Sequence, residues 1–429
     1  MDHIYDVLIV GSGAAGLYCA LNLPENYDVL IITKDEADNS DSFLAQGGMC
    51  MLRGEEDYDN YFEDTMKAGH FENDERTVEV MIRSSNSIVR DLIRYGVQFE
   101  HDSKGNLAFT KEGAHSNARI VFHEDITGKE ITSTLYARVK ERSNIKILEH
   151  TTMLDVIAKD NICYGVVACD QDKNVFTIAA EDVVLACGGI GGLFKNSTNF
   201  AHITGDALAI AMKHNVKVEH LDYIQIHPTT LFSKKKGRRF LISESVRGEG
   251  AVLLNKAGER FTDELQPRDV VSAAIWKQME EDGTEYVYED LRPIGEEEIL
   301  KHFPNIYKHC LEEGYDVLKE PIPVVPAQHY FMGGISVNLS GETTMKDLYA
   351  VGETCWNGVH GKNRLASNSL LESLVFSQRA ADDILYGSKT EKSNIPEVDL
   401  NEYKDVDGLL KDYHVTVRNE IERMKASHE

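Results

Sequence analysis

The sequence predicts an α/β protein of two or three domains, organised around an N-terminal nucleotide-type unit. Three observations support this. Near the N-terminus an apolar, β-branched run enters the Gly-rich turn GSGAAG and then a helical pattern. Helix-patterned and strand-patterned segments alternate through the first half of the chain. At 429 residues the chain exceeds the size at which one core stops growing, which leaves room for a buried cofactor.

Composition narrows the function. Charged residues make up 27% and hydrophobic residues 42%, and no apolar run reaches spanning length, so no transmembrane helix is expected. The run Val7 to Val10 has no basic leader and is followed by a Gly turn, so no signal peptide is expected either. A net charge of −26 argues against nucleic acid or an anionic membrane as partner. An anionic substrate would need a local basic pocket. The seven cysteines (Cys19, Cys50, Cys163, Cys169, Cys187, Cys310 and Cys355) are odd in number and form no CxxC pair. A disulfide framework and a structural metal are therefore not expected, and a reducing cytoplasm is.

Residues Asp6 to Ile9 lead into Gly11, Gly13 and Gly16, and Leu17 to Leu23 has helical spacing. Strand, Gly turn and helix is the order a dinucleotide pyrophosphate requires, with a tight turn at Gly11, close approach at Gly13 and helix–strand packing at Gly16. A tight turn without a ligand is the alternative. The second strand, Asp28 to Thr33, ends in Lys34, and Asp35 and Glu36 lie one step later than the usual ribose-binding acid. We therefore expect Lys34 and the small, polar loop Ser40 to Gly48 (SDSFLAQGG) to hold the adenosine side.

Tyr58 to Lys67 and Arg76 to Tyr95 have the spacing of packing helices, the second stopping near Gly96. Phe99 to Ala118 is polar, and KEGAHSNARI within it sets Glu112, His115 and Arg119 close together; a solvated loop and a site are both open. Thr127 to Arg142 is helical. Ile145 to Leu148, Thr151 to Ile157, Tyr164 to Asp170 and Val175 to Ala179 alternate as strands, and a small antiparallel sheet attached to the nucleotide domain is expected. Asp182 to Ala186 reads as a separate apolar strand entering CGGIGG, where the backbone must again come close to something. Asp206 is expected to cap the helix Ala207 to His214.

Further on, His227 in IQIHPTTLF reads first as a core histidine and second as a functional one. The basic run Lys234 to Arg239 (KKKGRR) is expected to be an exposed hairpin tip. Arg247, Glu249, Arg260, Asp263, Glu264, Arg268 and Asp269 interleave with small residues, as in a pre-organised electrostatic surface or an ion-pair network. Val270 to Glu281 is helical, and Asp282 to Pro323 is a polar, helix-rich insertion. The stretch His329 to Glu372 then gathers His329, a Gly pair, Glu353, His360 and Arg364 ahead of a helix start, a density that marks a site. Ser369 to Tyr386 reads as one helix, Gly387 to Pro396 as a linker, and Asp399 to Ala426 as charged amphipathic helix.

GSGAAG, SFLAQGG, TGDALAIA, IQIHPT, PRDVV, HYFMGG and GETCWNGVHGKNRLASNSLLE stand here in one order and spacing. The chain resembles, over Ile4 to Tyr386, the L-aspartate oxidase family of the succinate dehydrogenase and fumarate reductase flavoproteins. The resemblance implies an α/β fold with an α+β capping domain: a Rossmann-like FAD-binding domain at 1–219 and 329–387, interrupted by a cap at 220–328, and a short helical C-terminal segment at 388–429. It implies FAD contacts at Gly11, Ser12, Gly13, Ala14, Ala15 and Gly16, at Lys34, Asp41, Ser42, Ala45, Gln46, Gly47 and Gly48, and at Asp206, Glu353, Ser369 and Leu370. It places Arg364, His227 and His329 on the two carboxylates of a dicarboxylate, with Arg268 as the proton carrier and Glu112 on the ammonium of aspartate. His360 is left as scaffolding or a minor contact.

Two departures carry weight. Succinate dehydrogenases usually tie FAD to a His before Ala-Gln-Gly-Gly, where Ser42, Phe43 and Leu44 stand here, so the FAD is expected to be non-covalent. Longer family members end in a substantial helical bundle, and only a short segment follows Gly387 here. The implied activity is oxidation of L-aspartate to iminosuccinate, with fumarate or O2 as acceptor, feeding quinolinate formation in NAD biosynthesis, with quinolinate synthase as the partner the resemblance suggests. The competing expectations are a soluble fumarate reductase and a flavin-carrying subunit acting through partners.

Overall fold

The computed structural model describes residues 3–235, 237–392 and 394–428. One residue of the basic run, Lys236, and one of the linker, Ser393, lie outside them.

The chain opens with strand β1 (Ile4–Val10), whose second half is buried, and helix α1 (Ala14–Asn22), buried over almost its whole length. Next come β2 (Val29–Ile32), β3 (Met49–Cys50), α2 (Glu55–Ala68) and α3 (Glu75–Tyr95). The Asp74 side chain caps α3 by accepting from Thr77 N–H at 2.9 Å, and Gly96 ends it in the left-handed conformation. After β4 (Ile120–Val121) and α4 (Thr127–Glu141) come β5 (Ile145–Leu148), β6 (Thr152–Lys159), β7 (Ile162–Cys169), β8 (Val175–Leu185), α5 (Asp206–Lys213) and β9 (Val218–Glu219).

The main sheet runs β5-β2-β1-β8-β7-β6, and β15 (Leu348–Ala350) adds to β8 from much later in the chain. Two sequence expectations are corrected here. Ile145–Leu148 pairs in parallel with β2 and so belongs to the nucleotide sheet, not to an antiparallel appendage. The stretches Val175 to Ala179 and Asp182 to Ala186 are one strand, β8. Its first half pairs antiparallel with β7 and its second half parallel with β1, so the Ala-Ala-Glu-Asp interval that reads as a break is hydrogen-bonded throughout. Apolar faces on either side form two cores: α1, α3, α4 and α10 cover one, α5 and α11 the other.

A second lobe follows: β10 (Ile224–Leu231), α6 (Glu244–Gly248), β11 (Val252–Leu254), α7 (Arg268–Asp282), β12 (Val287–Asp290), α8 (Glu296–His302), α9 (Pro304–Glu312) and β13 (Ile322–Phe331). Its antiparallel sheet β10-β13-β12-β11 closes over a separate core that includes Ile242, Leu253, Ile275 and Ile306. The chain then returns through β14 (Gly334–Ser336), β15, β16 (Cys355–Trp356) and α10 (Asn368–Tyr386). Gly333 and Gly334 admit this return, because a Cβ on Gly333 would lie 2.0 Å from the His220 carbonyl oxygen and one on Gly334 2.6 Å from Cys355 backbone.

Helix α11 (Val406–His428) folds back onto α5, with Tyr413, Val417 and Ile421 buried. Asp155 on β6 anchors this segment: its carboxylate accepts from Lys213 Nζ at 2.5 Å and Tyr403 Oη at 2.7 Å, and meets His214 Nε2 at 2.7 Å. Burial would raise the Asp155 carboxyl, but His214, Lys213 and Tyr403 hold it below the usual range. Among the described residues no helix is long and apolar enough to cross a membrane.

Asp155→Ala should cost about 3 kcal/mol, since several charge-assisted bonds are lost at once. Because the folded pKa is depressed, that contribution is present above the unfolded carboxyl pKa and is lost as pH falls through the folded value. Urea denaturation at neutral and acidic pH measures both.

Candidate functional site

One long cleft runs from the end of β1 to the second lobe. It is lined in turn by the Gly turn, Lys34, the Ser40–Gly48 loop, the β15–α10 return and, at the far end, residues from both lobes.

At the first end, Gly11 has φ +117°, and a Cβ there would lie 2.0 Å from the Ala186 carbonyl oxygen; one on Gly16 would lie 2.1 Å from the Gly11 oxygen. The turn is therefore closed to other residues and brings α1 against β1. Helix α1 has no side-chain cap and no acid in its first turn, leaving amide N–H groups beside the cleft at Ser12, Gly13 and Ala15; Ala14 N–H donates to Ser42 Oγ at 3.2 Å. Lys34 reaches Thr204 Oγ1 at 2.9 Å and pairs with Asp206. Asp35 and Glu36 do not line the cleft. Asp206 does not cap α5: the N-cap is Gly205, in the left-handed conformation, and the carboxylate bonds Lys34 and Thr204.

In the middle stand Asp41 and Gln46, each with a buried oxygen lacking a partner, Asp41 Oδ2 and Gln46 Oε1. Burial pushes the Asp41 carboxyl up to about 7 despite the Phe200 N–H and Arg238. Glu353, on a 3-10 turn after β15, accepts from Phe331 N–H at 2.8 Å, and burial together with Asp41 pushes it up to about 8. It is also what the second Gly cluster approaches, since a Cβ on Gly189 would lie 2.4 Å from its Oε1. Ser369 and Leu370 open α10 onto the cleft, as do Ser42, Ala45, Gly47 and Gly48 of the loop. Free amides, a glycine cradle and unpartnered buried acceptors along a slot of this length fit a dinucleotide such as FAD.

The far end collects charge. Arg268, the first residue of α7, donates through Nε to Glu244 at 2.5 Å and through Nη1 to Gln225 Oε1 at 2.9 Å. Arg364 donates from Nε to the same Gln225 oxygen at 3.3 Å, bonds Ser369 Oγ, and lies over the Tyr330 ring at 4.3 Å. Desolvation, then Arg268, lower its pKa to about 10. Burial would raise Glu244, but Arg268 and Arg247 hold it below its ordinary value. His227 and His329 stand with ring centroids 5.1 Å apart, both kept neutral by burial and by neighbouring Arg268. His227 Nδ1 bonds the Thr229 carbonyl at 3.0 Å and its Nε2 has no partner; His329 Nδ1 meets Thr198 Oγ1 at 2.7 Å.

Glu112 is 2% exposed and lines this end, and His115 and Arg119 are buried with it, although Lys111 and Ser116 of the same loop are exposed. Behind it, Arg119 is fully buried on Asp57 and Asp64, and the His115 ring bonds the Ala366 carbonyl. Arg364, Arg268, His227, His329 and Glu112 thus share one cavity. His360 packs edge-on to Tyr330 and does not line the cleft.

Sequence reasoning missed Gln225, Glu244 and Tyr330, which lie beside singled-out residues and carry no motif signal of their own. The basic run is exposed at Lys234, Lys235, Gly237 and Arg238, as expected, but its Arg238 also lies over the Phe200 ring, at 5.8 Å, and lines the cleft. No group of His, Cys, Asp and Glu among the described residues could hold a metal.

The model of a family described as an FAD binding domain matches residues 6–370. An L-aspartate oxidase of Clostridium perfringens is 52% identical over 385 residues, covering 90% of this chain and 87% of the relative. One of Clostridium acetobutylicum is 49% identical over 380 residues, covering 88% and 87%. Among solved structures, FrdA of E. coli quinol fumarate reductase superposes with a TM-score of 0.86 at 30% identity, covering 96% of this chain and 74% of that one. Sdh1 of Mycobacterium smegmatis superposes with 0.77 at 31%, covering 95% and 72%. With its Gly-turn sheet, its long cleft and the matched span from residue 6 to residue 370, the chain belongs to the FAD-binding L-aspartate oxidase family.

Proposed function

We propose that this chain oxidises L-aspartate to iminosuccinate with FAD, the first step of NAD biosynthesis through quinolinate. The observation that carries this reading is Glu112, a buried carboxylate facing the same cavity as two arginines and two neutral imidazoles. Arginine forks match carboxylates bidentately and keep their charge, which suits a dicarboxylate, while Glu112 suits the ammonium that distinguishes aspartate from succinate.

When bound, FAD supplies the acceptor for the hydride that leaves Cα. Arg364, backed by the Tyr330 ring, holds one substrate carboxylate; His227 and His329, as neutral N–H donors, hold the other. Arg268 is held by Glu244 and Gln225 so that its guanidinium is aimed without being free to swing. In the reverse sense, with fumarate as acceptor, Arg268 delivers the proton the second alkene carbon needs. Residues 220–328 act as the cap that closes this chamber. Gly11 to Gly16, Lys34, Asp41 to Gly48, Asp206, Glu353, Ser369 and Leu370 hold FAD. O2 as a second acceptor and a quinolinate-forming partner enzyme complete the proposal.

A fumarate reductase acting on succinate and fumarate is the second reading. Likeness to FrdA favours it, and Glu112 weighs against it, because a buried carboxylate facing an ammonium-free dianion is repulsive.

Anaerobic L-aspartate should bleach the flavin of the purified holoenzyme and succinate should not; the opposite result would sink the first reading. The segment Ser40–Gly48 contains no His, Cys or Tyr to attach a flavin. Acid precipitation should therefore release all flavin to the supernatant, and retention in the pellet would contradict non-covalent binding. Arg364→Leu should lower kcat/KM for aspartate and fumarate alike, by roughly a hundredfold or more, as removal of one partner from a buried charge pair does. Burial raises the Glu112 carboxyl, with Glu244 adding to the rise. The acid limb of kcat/KM for aspartate should therefore lie above the ordinary carboxylate range and disappear in Glu112→Gln.

A further inference from the structure

Glu112 is held from two directions. Its Oε2 accepts from Ser367 Oγ at 2.5 Å, a residue at the start of α10, and its Oε1 accepts from Ser245 Oγ at 2.8 Å, a residue on α6 of the second lobe. Both hydroxyls and the carboxylate are buried. Ser367 sits in the left-handed conformation, so its side chain is directed by backbone that the α10 start fixes.

The rest of the loop is sewn to the second lobe on either side of that contact. Ala114 N–H donates to the Leu265 carbonyl at 3.1 Å. Gly248 packs so tightly on the Lys111 carbonyl that a Cβ would lie 2.3 Å from its oxygen, and a Cβ on Gly113 would lie 2.5 Å from Glu244 Oε1. Contacts on Lys111, Glu112, Gly113 and Ala114 therefore all reach residues 244–265. The first lobe holds the far end of the loop through His115 on the Ala366 carbonyl and Arg119 on Asp57 and Asp64.

A carboxylate in a loop has no fixed direction unless its lone pairs are engaged. Here one lone-pair set is engaged by each lobe. With both hydroxyls in place the carboxylate is aimed and its charge is supported by two donors, one from each lobe.

Resting on the reading that Glu112 receives the substrate ammonium, we propose that Ser245 is a positioning residue for amine selectivity. Through it the second lobe completes the ammonium site, so that discrimination between aspartate and an amine-free dicarboxylate depends on a contact between the two lobes. Ser245 acts through Glu112 and touches no reacting atom.

The test compares wild-type holoenzyme with Ser245→Ala, Ser245→Thr and Glu112→Gln. For each, kcat/KM is measured for L-aspartate oxidation with fumarate as acceptor and for fumarate reduction by a reduced viologen dye. Ser245→Ala should lower the aspartate value about tenfold, the loss of one hydrogen bond to a charged group, and leave dye-driven fumarate reduction within about twofold. Ser245→Thr, which keeps the hydroxyl, should recover most of the aspartate value. If Glu112→Gln is selective for aspartate but Ser245→Ala is not, or if Ser245→Ala lowers both reactions equally, the positioning role is overturned while the ammonium reading stands. If Glu112→Gln leaves aspartate oxidation intact, the ammonium reading falls and the inference with it. Circular dichroism melting of each variant separates these outcomes from misfolding.

Discussion

Two guanidinium groups share one amide oxygen, and the far end of the cleft depends on that arrangement. Gln225 Oε1 accepts from Arg268 at 2.9 Å and from Arg364 at 3.3 Å, while its Nε2 donates to Asn363 Oδ1 at 2.8 Å and to the Arg364 carbonyl at 2.7 Å. Like charges this close repel strongly in a poorly solvated interior. Glu244 neutralises one of them and Tyr330 offers its negative ring face to the other. Gln225 lies on β10, Arg268 starts α7, and Arg364 lies on the segment that returns to the sheet. One side chain therefore fixes the geometry at which the lobes meet.

The neutral state of both imidazoles follows from the same crowding. Beside two cations and without water, a protonated His227 or His329 would add a third positive charge, and each is instead held neutral. The carboxyls at the middle of the cleft respond the opposite way: burial pushes Asp41 and Glu353 toward the protonated form, and the Asp41 charge adds to the rise of Glu353. The cleft thus separates into a cationic end for a dianion and a stretch with weakly charged acceptors and free amides, which suits hydroxyl and amide groups of a long cofactor.

Legibility from the sequence followed the range of the interaction. The Gly turn, α1, α3 with its Gly96 stop, and α10 are set by residues within a few positions of one another, and the pattern shows them. Arg364 and His329 enter through the motif resemblance, and both line the cleft. What failed was longer in range. Ala179 to Asp182 reads as a break until β1, β7 and β15 are seen to pair along all of β8. Asp206 reads as a cap until Lys34, far away in sequence, competes for its carboxylate. On its local residues alone Glu112 stays open, and only the resemblance singles it out, because Ser245 and Ser367, which explain why a charged loop residue is buried, are each more than a hundred residues away. The cleft contact of Arg238 does not show in an exposed basic run, because its partner Phe200 lies far away in sequence.

A chain with net charge −26 repels a dianion at long range, and the site offsets this by local means. Arg364 is desolvated and faces Arg268, and its pKa is lowered to about 10, so the empty site holds positive charge at a cost. A bound dicarboxylate removes that cost as well as adding its own hydrogen bonds, and relief of repulsion between the arginines becomes part of the binding energy. In the proposed function, Glu112 then sets the limit on what is accepted. Without an ammonium it leaves a buried negative charge beside the incoming dianion; with one, the added charges of substrate and site cancel. The two arginines hold any suitable dicarboxylate, and it falls to a loop tied to both lobes to select the one that carries an amine.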